Sequence, residues 1–586
     1  MSETTVGREP IQIVEIQQPL CENVYGVSPC TAVGTADQKC YNTRATCQDT
    51  ANFALGDPLK LYFAKGMVAE IGVAGADYII PSLVSVSTSP TRINLASSNP
   101  DAQGLGNRAV CNITFADHAH SDRVVDPYID GRSWNPLDKS RGSFWTRWIV
   151  RNKYRQNVVI IVYEGYAGQS LGEMTSRQYF LQSVSGPDDS GRVTIQGKDI
   201  LARIEERKAQ APVASPGELY VGINSSQTSF EVAGALTSEY AASGTLRIDD
   251  EVMTYTTVTT STNGITFSGV ARATDGTVAA AHNAEAKVQE CLRLSDVTPD
   301  AAVELLLETY GKIDAAYLDT TGWADEISTH LPSYRFNGLV TQPTSVFQIV
   351  SEFQTQGLFY IWWDERDRLV KMKAIRGIDD PPATLDDTKN IIAGSVSFRE
   401  KPRERTSQVW VYFNQDDYSA NPNSDEAYAN LVVLANLESE TDELYGEPSI
   451  RKVYARFLTS GPLATNTATR IITRYVDIPT EIQFRLDAKD RTYWVGDTVF
   501  ISHYLDVDQF GSRRVRQWTI VSAEEVVPGE VVQYIAEDTT LYGRIFYIMA
   551  NDAADYPGYD VAPFRNCYIG DAGGLLSDGE TSGRIS

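Results

Sequence analysis

Short apolar segments with a two-residue period dominate this sequence, and they restrict the chain to a β-rich fold. "SQVWVYF", "EIQFRLDA" and "EVVQYIAED" alternate apolar and polar residues, as half-buried strands do. Segments with a helical period are few, while 42 glycines and 25 prolines separate the strand-like runs. The 586 residues correspond to about four domains, and an apolar fraction of 42% is enough to build their cores. We therefore predict a mainly β, multidomain protein.

Changes of pattern along the chain predict six segments. They are an N-terminal segment with four cysteines (1–59), a first β domain (60–212), an inserted small β module (213–290), a small α+β domain (291–390), a second β domain (391–545) and an extended C-terminal tail (546–586). A hairpin signal at Asn263-Gly264 supports the β module. "DVTPDAAVELLLETY" and "TSVFQIVSEFQTQG" predict helices in the α+β domain, and the i,i+4 pair Phe144/Trp148 predicts a helical turn inside the first β domain.

The net charge and the absence of catalytic motifs restrict the classes of function open to this chain. The net charge of −25 is unfavourable for gripping nucleic acid, because such binding requires Lys and Arg to neutralise phosphates. The sequence contains no GxSxG elbow, no Walker phosphate loop and no HExxH motif, so we predict no enzyme. His118 and His120 lie beside carboxylates, but a solvated loop explains them better than a metal site. We find no signal peptide and no apolar run of membrane-spanning length, and therefore expect folding in a reducing cytoplasm.

Four of the seven cysteines fall within 27 residues, at Cys21, Cys30, Cys40 and Cys47. The spacings are C-x8-C-x9-C-x6-C, which differ from the CxxC pairs of typical zinc ribbons. A loop with such wide spacings and no histidine fits an iron–sulfur cluster, whose irons each take one thiolate. A bound metal centre would also supply folding energy that this polar segment lacks. Zinc, disulfides and unligated thiols remain alternatives, whereas Cys111, Cys291 and Cys567 are predicted to be ordinary buried thiols.

The four-cysteine segment resembles the cluster-binding segment of tail-tip proteins from lambda-like long-tailed phages. Those proteins carry C-x8-C, a variable gap and C-x6-C around an iron–sulfur cluster, and both fixed spacings are present here. "RGSFWTRWIVRNKY" and "GRVTIQGKDILARIEERKAQAP" resemble the first barrel of phage tail hubs, and "SGTLRIDDEVMTYT" resembles a β module common in tail proteins. "GLFYIWWDERDRLVKMKA" is similar to the hub's clamp domain. "GDAGGLLSDGETSGRI" is similar to the tail of hubs from siphophages and gene-transfer-agent-like particles.

This resemblance implies a tail-tip or baseplate hub with two β-barrel domains. It implies a homotrimeric ring around a DNA channel, located in the virion and assembled in the host cytoplasm. The implied partners are the distal tail protein, the tape-measure protein and the central fibre or receptor-binding tail proteins, with DNA only in transit. Cys21, Cys30, Cys40 and Cys47 are expected to hold a structural 4Fe–4S cluster, with zinc as the second choice. Two other interpretations stay open: a secreted or surface β-protein with a small disulfide knot, and a virion-associated enzyme.

Overall fold

The fold is that of a computed structural model, which describes residues 9–95, 104–119, 122–135, 137–375, 384–418, 420–539, 546–547 and 584–585. Strands predominate, and they are distributed over several separate sheets. The predicted mainly β, multidomain fold class is thus confirmed. In the described part of the chain, no helix is both long enough and apolar enough to cross a membrane.

An eight-stranded sheet forms the N-terminal part of the molecule. Its strands are β1 (Pro10–Gln18), β2 (Leu59–Ala64), β3 (Ile79–Ile80), β4 (Leu83–Ser89), β5 (Val110–Ala116), β6 (Val159–Tyr166), β7 (Thr175–Ser185) and β8 (Arg192–Lys198). The order across the sheet is β3-β2-β1-β6-β7-β8-β5-β4, and only the β2–β3 pair is parallel. In β5, Cys111, Ile113 and Phe115 are fully buried while the residues between them are only partly buried, as a strand with one core face requires.

Two helices accompany this sheet, α1 (Gly66–Ile71) and α2 (Phe144–Arg151). Ser143 caps α2, accepting a hydrogen bond from the backbone N–H of Thr146. The helix buries Trp145 in the core of the sheet, with ring centroids 5.3 Å from Phe63 and 4.7 Å from Phe115. The predicted helical turn is therefore confirmed.

The inserted region contributes two small sheets. The short strand β9 (Gln210–Ala211) precedes the module, whose elements are β10 (Glu218–Leu219), β11 (Phe230–Ala233), β12 (Gly244–Ile248), β13 (Glu251–Tyr255), β14 (Thr257–Ser261), β15 (Gly264–Ser268) and β16 (Gln289–Val297). One sheet has the order β10-β11-β15-β14; its β14–β15 hairpin forms at the predicted place, with Thr262 and Asn263 in the turn and Gly264 paired with Ser261. The other has the order β13-β12-β16-β17, so the module is joined by strand pairing to β17 (Phe336–Val340).

The α+β region packs helices against a β-hairpin. Its remaining elements are α3 (Pro299–Glu304, continued by a π-helix Leu305–Tyr310), α4 (Thr320–His330), β18 (Thr344–Ser345), α5 (Val346–Gly357), β19 (Phe359–Asp364) and β20 (Leu369–Ala374). Both helices expected from the sequence are present. The largest apolar core of the molecule joins this region to the second large sheet.

A six-stranded and a three-stranded sheet follow. The elements are β21 (Thr384–Asp386), β22 (Ser397–Glu400), β23 (Gln408–Gln415), β24 (Tyr428–Ala435), β25 (Ile450–Ala455), α6 (Gly461–Tyr475), β26 (Thr480–Asp487), β27 (Thr498–Val507), β28 (Arg513–Val527) and β29 (Val531–Asp538). The larger sheet has the order β21-β27-β28-β29-β26-β22, and the smaller has the order β24-β23-β25. The two-residue strands β30 (Phe546–Tyr547) and β31 (Arg584–Ile585) pair with each other; the rest of the predicted tail, 546–586, lies outside the described residues.

Two helical segments and the closure of the sheets could not be predicted from local sequence patterns. Helix α6 was not predicted, because its sequence is rich in Thr and Asn and its buried stripe relies on small residues such as Ala464 and Ala468. The segment Ile200–Glu205 forms a 3-10 helix. Among the described strands, the pairings run from β3 to β4 and from β21 to β22 with no pair that closes either sheet. The two barrels therefore remain a prediction.

The two large sheets meet through buried polar groups. Arg177 on β7 forms an ion pair of 2.5 Å with Glu164 on β6, and both side chains are almost fully buried. Glu164 is hydrogen-bonded to Glu525 on β28, which also binds Arg491 at 3.4 Å. The Tyr166 hydroxyl, close to Glu164 in sequence, donates to the carbonyl of Gly529. Burial raises the pKa of Glu164, and the neighbouring Glu525 carboxylate adds to the effect against the attraction of Arg177.

Candidate functional site

All four cysteines of the N-terminal segment lie on one long loop between β1 and β2. The base of the loop is closed by backbone hydrogen bonds from Glu22 to Ala54 (3.0 Å) and from Gly56 to Leu20 (3.0 Å). The loop therefore leaves the sheet and returns to it at one place, as a compact surface excursion of β1 and β2.

A single arginine outside the loop fixes its position. The Arg132 guanidinium donates to the backbone carbonyls of Ala36 (3.0 Å), Asp37 (3.1 Å), Lys39 (3.0 Å) and Cys40 (3.3 Å). Asp126 holds this guanidinium through two hydrogen bonds of 2.9 and 3.1 Å, and neither side chain is exposed. Because a buried bidentate pair has one preferred orientation, the donors of Arg132 define where the loop lies.

Aromatic and hydroxyl groups complete the attachment. The Tyr128 hydroxyl donates to Asn42 Oδ1 (3.1 Å) and accepts from the backbone N–H of Tyr25 (2.9 Å). Thr43 Oγ1 donates to the carbonyl of Arg151 at the end of α2 (2.6 Å). The Arg151 guanidinium also lies 3.9 Å from the ring centre of Tyr41. The loop is thus bound to α2 and to the segment that precedes it.

Short contacts inside the loop link the segments that carry the cysteines. The backbone N–H of Cys21 donates to the carbonyl of Asn42 (2.7 Å), and Cys40 Sγ contacts Asn42 Oδ1 at 3.5 Å. Thr31, next to Cys30, donates through its backbone N–H and its hydroxyl to Asp49 Oδ2 (2.7 and 2.8 Å). Asp49 lies two residues from Cys47 in sequence. Asn42 therefore contacts both Cys21 and Cys40, and Asp49 joins the residue after Cys30 to the end of the loop that carries Cys47.

The pKa of Cys40 responds to the other three cysteines of the loop. Burial is the main cause that raises the pKa of the Cys40 thiol; a backbone hydrogen bond from Asn42 opposes it, and the neighbouring Cys47, Cys30 and Cys21 raise it further. All four are free thiols and half-buried. Among the described residues, no three His, Cys, Asp or Glu side chains form a group that could hold a metal ion. The loop gathers the four thiols without bringing any three to the separation of a single-ion site.

A second polar cluster, which the sequence reasoning missed, lies in the inserted module. His282 contacts Asp249 (2.7 Å) and Glu251 (2.9 Å) through its two ring nitrogens. Glu251 is also held by Arg272 through two hydrogen bonds of 2.7 Å. The pKa of Glu251 is lowered to about 2, because these hydrogen bonds outweigh the opposing effect of burial. Since Arg272 and His282 satisfy the carboxylate, the cluster serves to hold the loop after β15 on β13. His118 stacks on Phe144, with ring centroids 5.1 Å apart.

No family model matches the chain, and no curated protein matches its sequence. Several solved structures show distant similarity. The 43 kDa tail protein of prophage MuSo2 from Shewanella oneidensis has 10% identity and a TM-score of 0.35, over 78% of this chain and 98% of that one. The tail protein from Neisseria meningitidis MC58 has 9% identity and a TM-score of 0.37, over 78% and 97%. Prophage tail protein gp18 from Listeria monocytogenes EGD-e has 10% identity and a TM-score of 0.30, over 77% and 87%. These similar structures are all tail proteins.

Proposed function

We propose that this chain is a structural, non-enzymatic hub protein of a phage-type tail tip or baseplate. It would form a homotrimeric ring around the DNA channel in the virion, between the tail tube and distal tail protein on one side and the central fibre on the other. The end of the tape-measure protein and the receptor-binding tail proteins would complete its partners. The gathered four-cysteine loop carries the proposal, because it joins a family-specific spacing to a loop that keeps the four thiols near one another.

Within this function, Cys21, Cys30, Cys40 and Cys47 would ligate one 4Fe–4S cluster. The donor set supports a cluster, because it consists of four half-buried thiols on a loop that contains no histidine. A zinc ion is the second choice, because the C-x8-C-x9-C-x6-C spacings differ from the CxxC pairs of typical zinc ribbons. The cluster would supply thiolate–iron bonds that cross-link the loop.

Anaerobic purification with an absorption spectrum and iron and sulfide assays tests the cofactor. We expect about four irons and four sulfides per chain, following the cluster stoichiometry. Cys40→Ser should lose the iron and the brown colour, whereas Cys111→Ala should keep both, because Cys111 is buried in the first sheet away from the loop. One zinc per chain, or two disulfides under non-reducing conditions, would refute the cluster and leave the hub proposal standing.

The hub assignment is tested on particles that carry this chain. An antiserum raised against the recombinant protein should label the distal end of the tail in electron micrographs. Native mass spectrometry of the full chain should give three copies per assembly. Labelling on the capsid or along the whole tube would refute the position.

The net negative charge of the chain supports the proposed channel, through which DNA would slide. A wall with net negative charge offers phosphates no counter-charges, so we expect no duplex binding at physiological salt. A sub-micromolar affinity in a gel-shift assay would contradict this part of the proposal.

A further inference from the structure

A groove opens between the four-cysteine loop and the C-terminal end of α2, with a volume of about 520 Å³. Its walls are apolar: Phe53 and Leu55 come from the loop, Trp148 from α2 and Tyr154 from the segment after it. Trp148 Nε1 donates to a glutamine side chain at 2.8 Å, so its indole N–H is satisfied away from solvent. Leu55 and Tyr154 are each 68% exposed, which is unusual for large apolar side chains that face one another across a groove.

The groove is also positively charged. Arg44, Arg151 and Arg155 line it; Arg151 is ion-paired with Asp122 (2.9 Å) behind the groove, and no carboxylate is among the described lining residues. Arg44 donates to the backbone carbonyl of Thr50 (2.7 Å), and Arg155 donates to the backbone carbonyl of Ile149 (3.3 Å), so both bind neutral oxygens. We call this site the basic groove. On a chain with a net charge of −25, it selects an occupant that is both apolar and acidic.

Such a surface is present elsewhere on the same chain. The connection between β24 and β25, residues 437–447, has the sequence "LESETDELYGE" and is here called the acidic loop. Its acidic residues are Glu438, Glu440, Asp442, Glu443 and Glu447. Three apolar side chains in the acidic loop point to solvent: Leu437 is 68% exposed, Leu444 57% and Tyr445 37%. The loop therefore combines the two properties that the basic groove requires.

The acidic loop is held in a defined shape. Glu440 accepts hydrogen bonds from Ser407 Oγ (2.6 Å) and Gln408 Nε2 (2.9 Å). Arg405 donates to the carbonyl of Glu447 (2.6 Å), with its guanidinium 4.4 Å from the ring centre of Tyr445. An ordered loop loses little conformational entropy on binding, which favours its use as an anchor.

We infer that the acidic loop of one copy docks into the basic groove of a second copy. The two surfaces differ, so the contact is heterologous, and contacts of this type close into a ring when the rotation between copies permits. Leu444 and Tyr445 would enter the apolar part of the groove while the flanking carboxylates meet Arg44 and Arg155. The inference rests on the trimeric ring of the proposed function and gives that ring its interface. Arg44 lies between Cys40 and Cys47, so the cluster-bearing loop would shape one wall of this interface.

Charge reversal on the full chain tests the inference. Arg155→Glu and Glu443→Arg should each raise the dissociation constant of the trimer at least about tenfold, because like charges then face each other. Sedimentation velocity measures this constant. The double variant R155E/E443R restores complementarity at every interface of the ring and should recover the trimer. Arg207→Glu and Asp189→Arg, at exposed positions outside both surfaces, are the matched controls and should leave the trimer intact.

Two variants that leave the charge unchanged test whether misfolding, and not loss of the interface, explains a weaker trimer. Tyr154→Ala and Leu444→Ser alter exposed side chains, and we expect unchanged circular dichroism together with weaker trimerisation. Zero-length carbodiimide coupling should link Lys153 of one copy to the acidic loop of another, identified with a mixture of ¹⁵N-labelled and unlabelled chains.

The outcomes separate the two proposals. A trimer that tolerates both single reversals, or a double variant no better than either single one, refutes this interface and leaves the hub function standing; the groove then has a different occupant. A wild-type chain that stays monomeric at all concentrations refutes the trimer of the proposed function together with this interface.

Discussion

Replacing Glu365 by Gln should stabilise the protein above neutral pH and have little effect in acid. Glu365 follows β19 at the start of the turn to β20; it is 1% exposed, and its Oε2 is buried with no hydrogen-bond partner among the described residues. Burial, aided by the neighbouring Asp364 carboxylate, raises the pKa of Glu365 to about 7, against weaker opposing effects of Arg177 and Arg366. The folded protein thus keeps a proton on this group at pH values where the unfolded chain has lost it.

The direction of the change in stability with pH follows from the protons that each state binds. Between the ordinary glutamate pKa of 4.5 and the folded value of about 7, the folded state binds more protons, so stability falls as the pH rises through this window. Each pKa unit corresponds to about 1.4 kcal/mol, and the full shift therefore costs about 3 kcal/mol above pH 7. Glutamine fills the same space without ionising, so Glu365→Gln should recover most of that amount at about pH 8 and almost none at about pH 5.

Urea denaturation followed by tryptophan fluorescence measures this difference, because Trp363 is fully buried two residues away. The quantity to compare is the change in unfolding free energy between the two pH values in wild type and variant. Glu308→Gln, at an exposed position, is the control and should behave like wild type at both. A Glu365→Gln variant with the wild-type pH dependence, or one less stable than wild type at pH 8, would refute the reasoning.

Three further outcomes are expected. Arg177→Met should destabilise the contact between the two large sheets by about 3–5 kcal/mol, because Glu164 and Glu525 lose their shared counter-charge. Urea denaturation should show a larger loss at pH 8 than at pH 6, and an equal loss at both pH values would contradict this. Arg132→Ala should release the four-cysteine loop, seen as faster hydrogen exchange across residues 19–58 with no change in the large sheets. Deleting 213–290 with a short Gly/Ser linker should leave both large sheets folded, because the module has its own apolar core; only aggregate would show that the module belongs to the main core.

The strands and their faces could be predicted from the sequence because they depend on local alternation. The β14–β15 hairpin at Asn263-Gly264 and helix α2 follow from two-residue and four-residue periods that are visible in a short window. Helices α4 and α6 were not predicted, because neither shows a strong apolar stripe. Helix α6 buries Ala464, Ala468 and Ile471 among threonines. Where tertiary packing decides helix formation, local patterns carry little information.

The surroundings of the cysteines could not be predicted, because they depend on distant residues. Arg132 lies more than 90 positions from the carbonyls it binds, and its guanidinium is fixed by Asp126 rather than by the loop. Glu164, Arg177 and Glu525 look like surface charges on alternating strands, yet the contact between two sheets buries all three. Sequence periodicity specifies the face of a strand, but it does not specify which second sheet will cover that face.

The position of the four-cysteine loop and the ligation of its thiols are separate properties of this molecule. Arg132 and Tyr128 attach the loop through its carbonyls and side-chain oxygens, and none of these bonds uses a sulfur atom. A cluster would act on the sulfurs alone, so its structural effect is to fix the interior of a loop that is already attached. Arg44 lies within the loop and Leu55 at its base, and both line the basic groove. If the proposed cluster forms, its loss is expected to alter the wall of the basic groove while the sheets beneath it keep their structure.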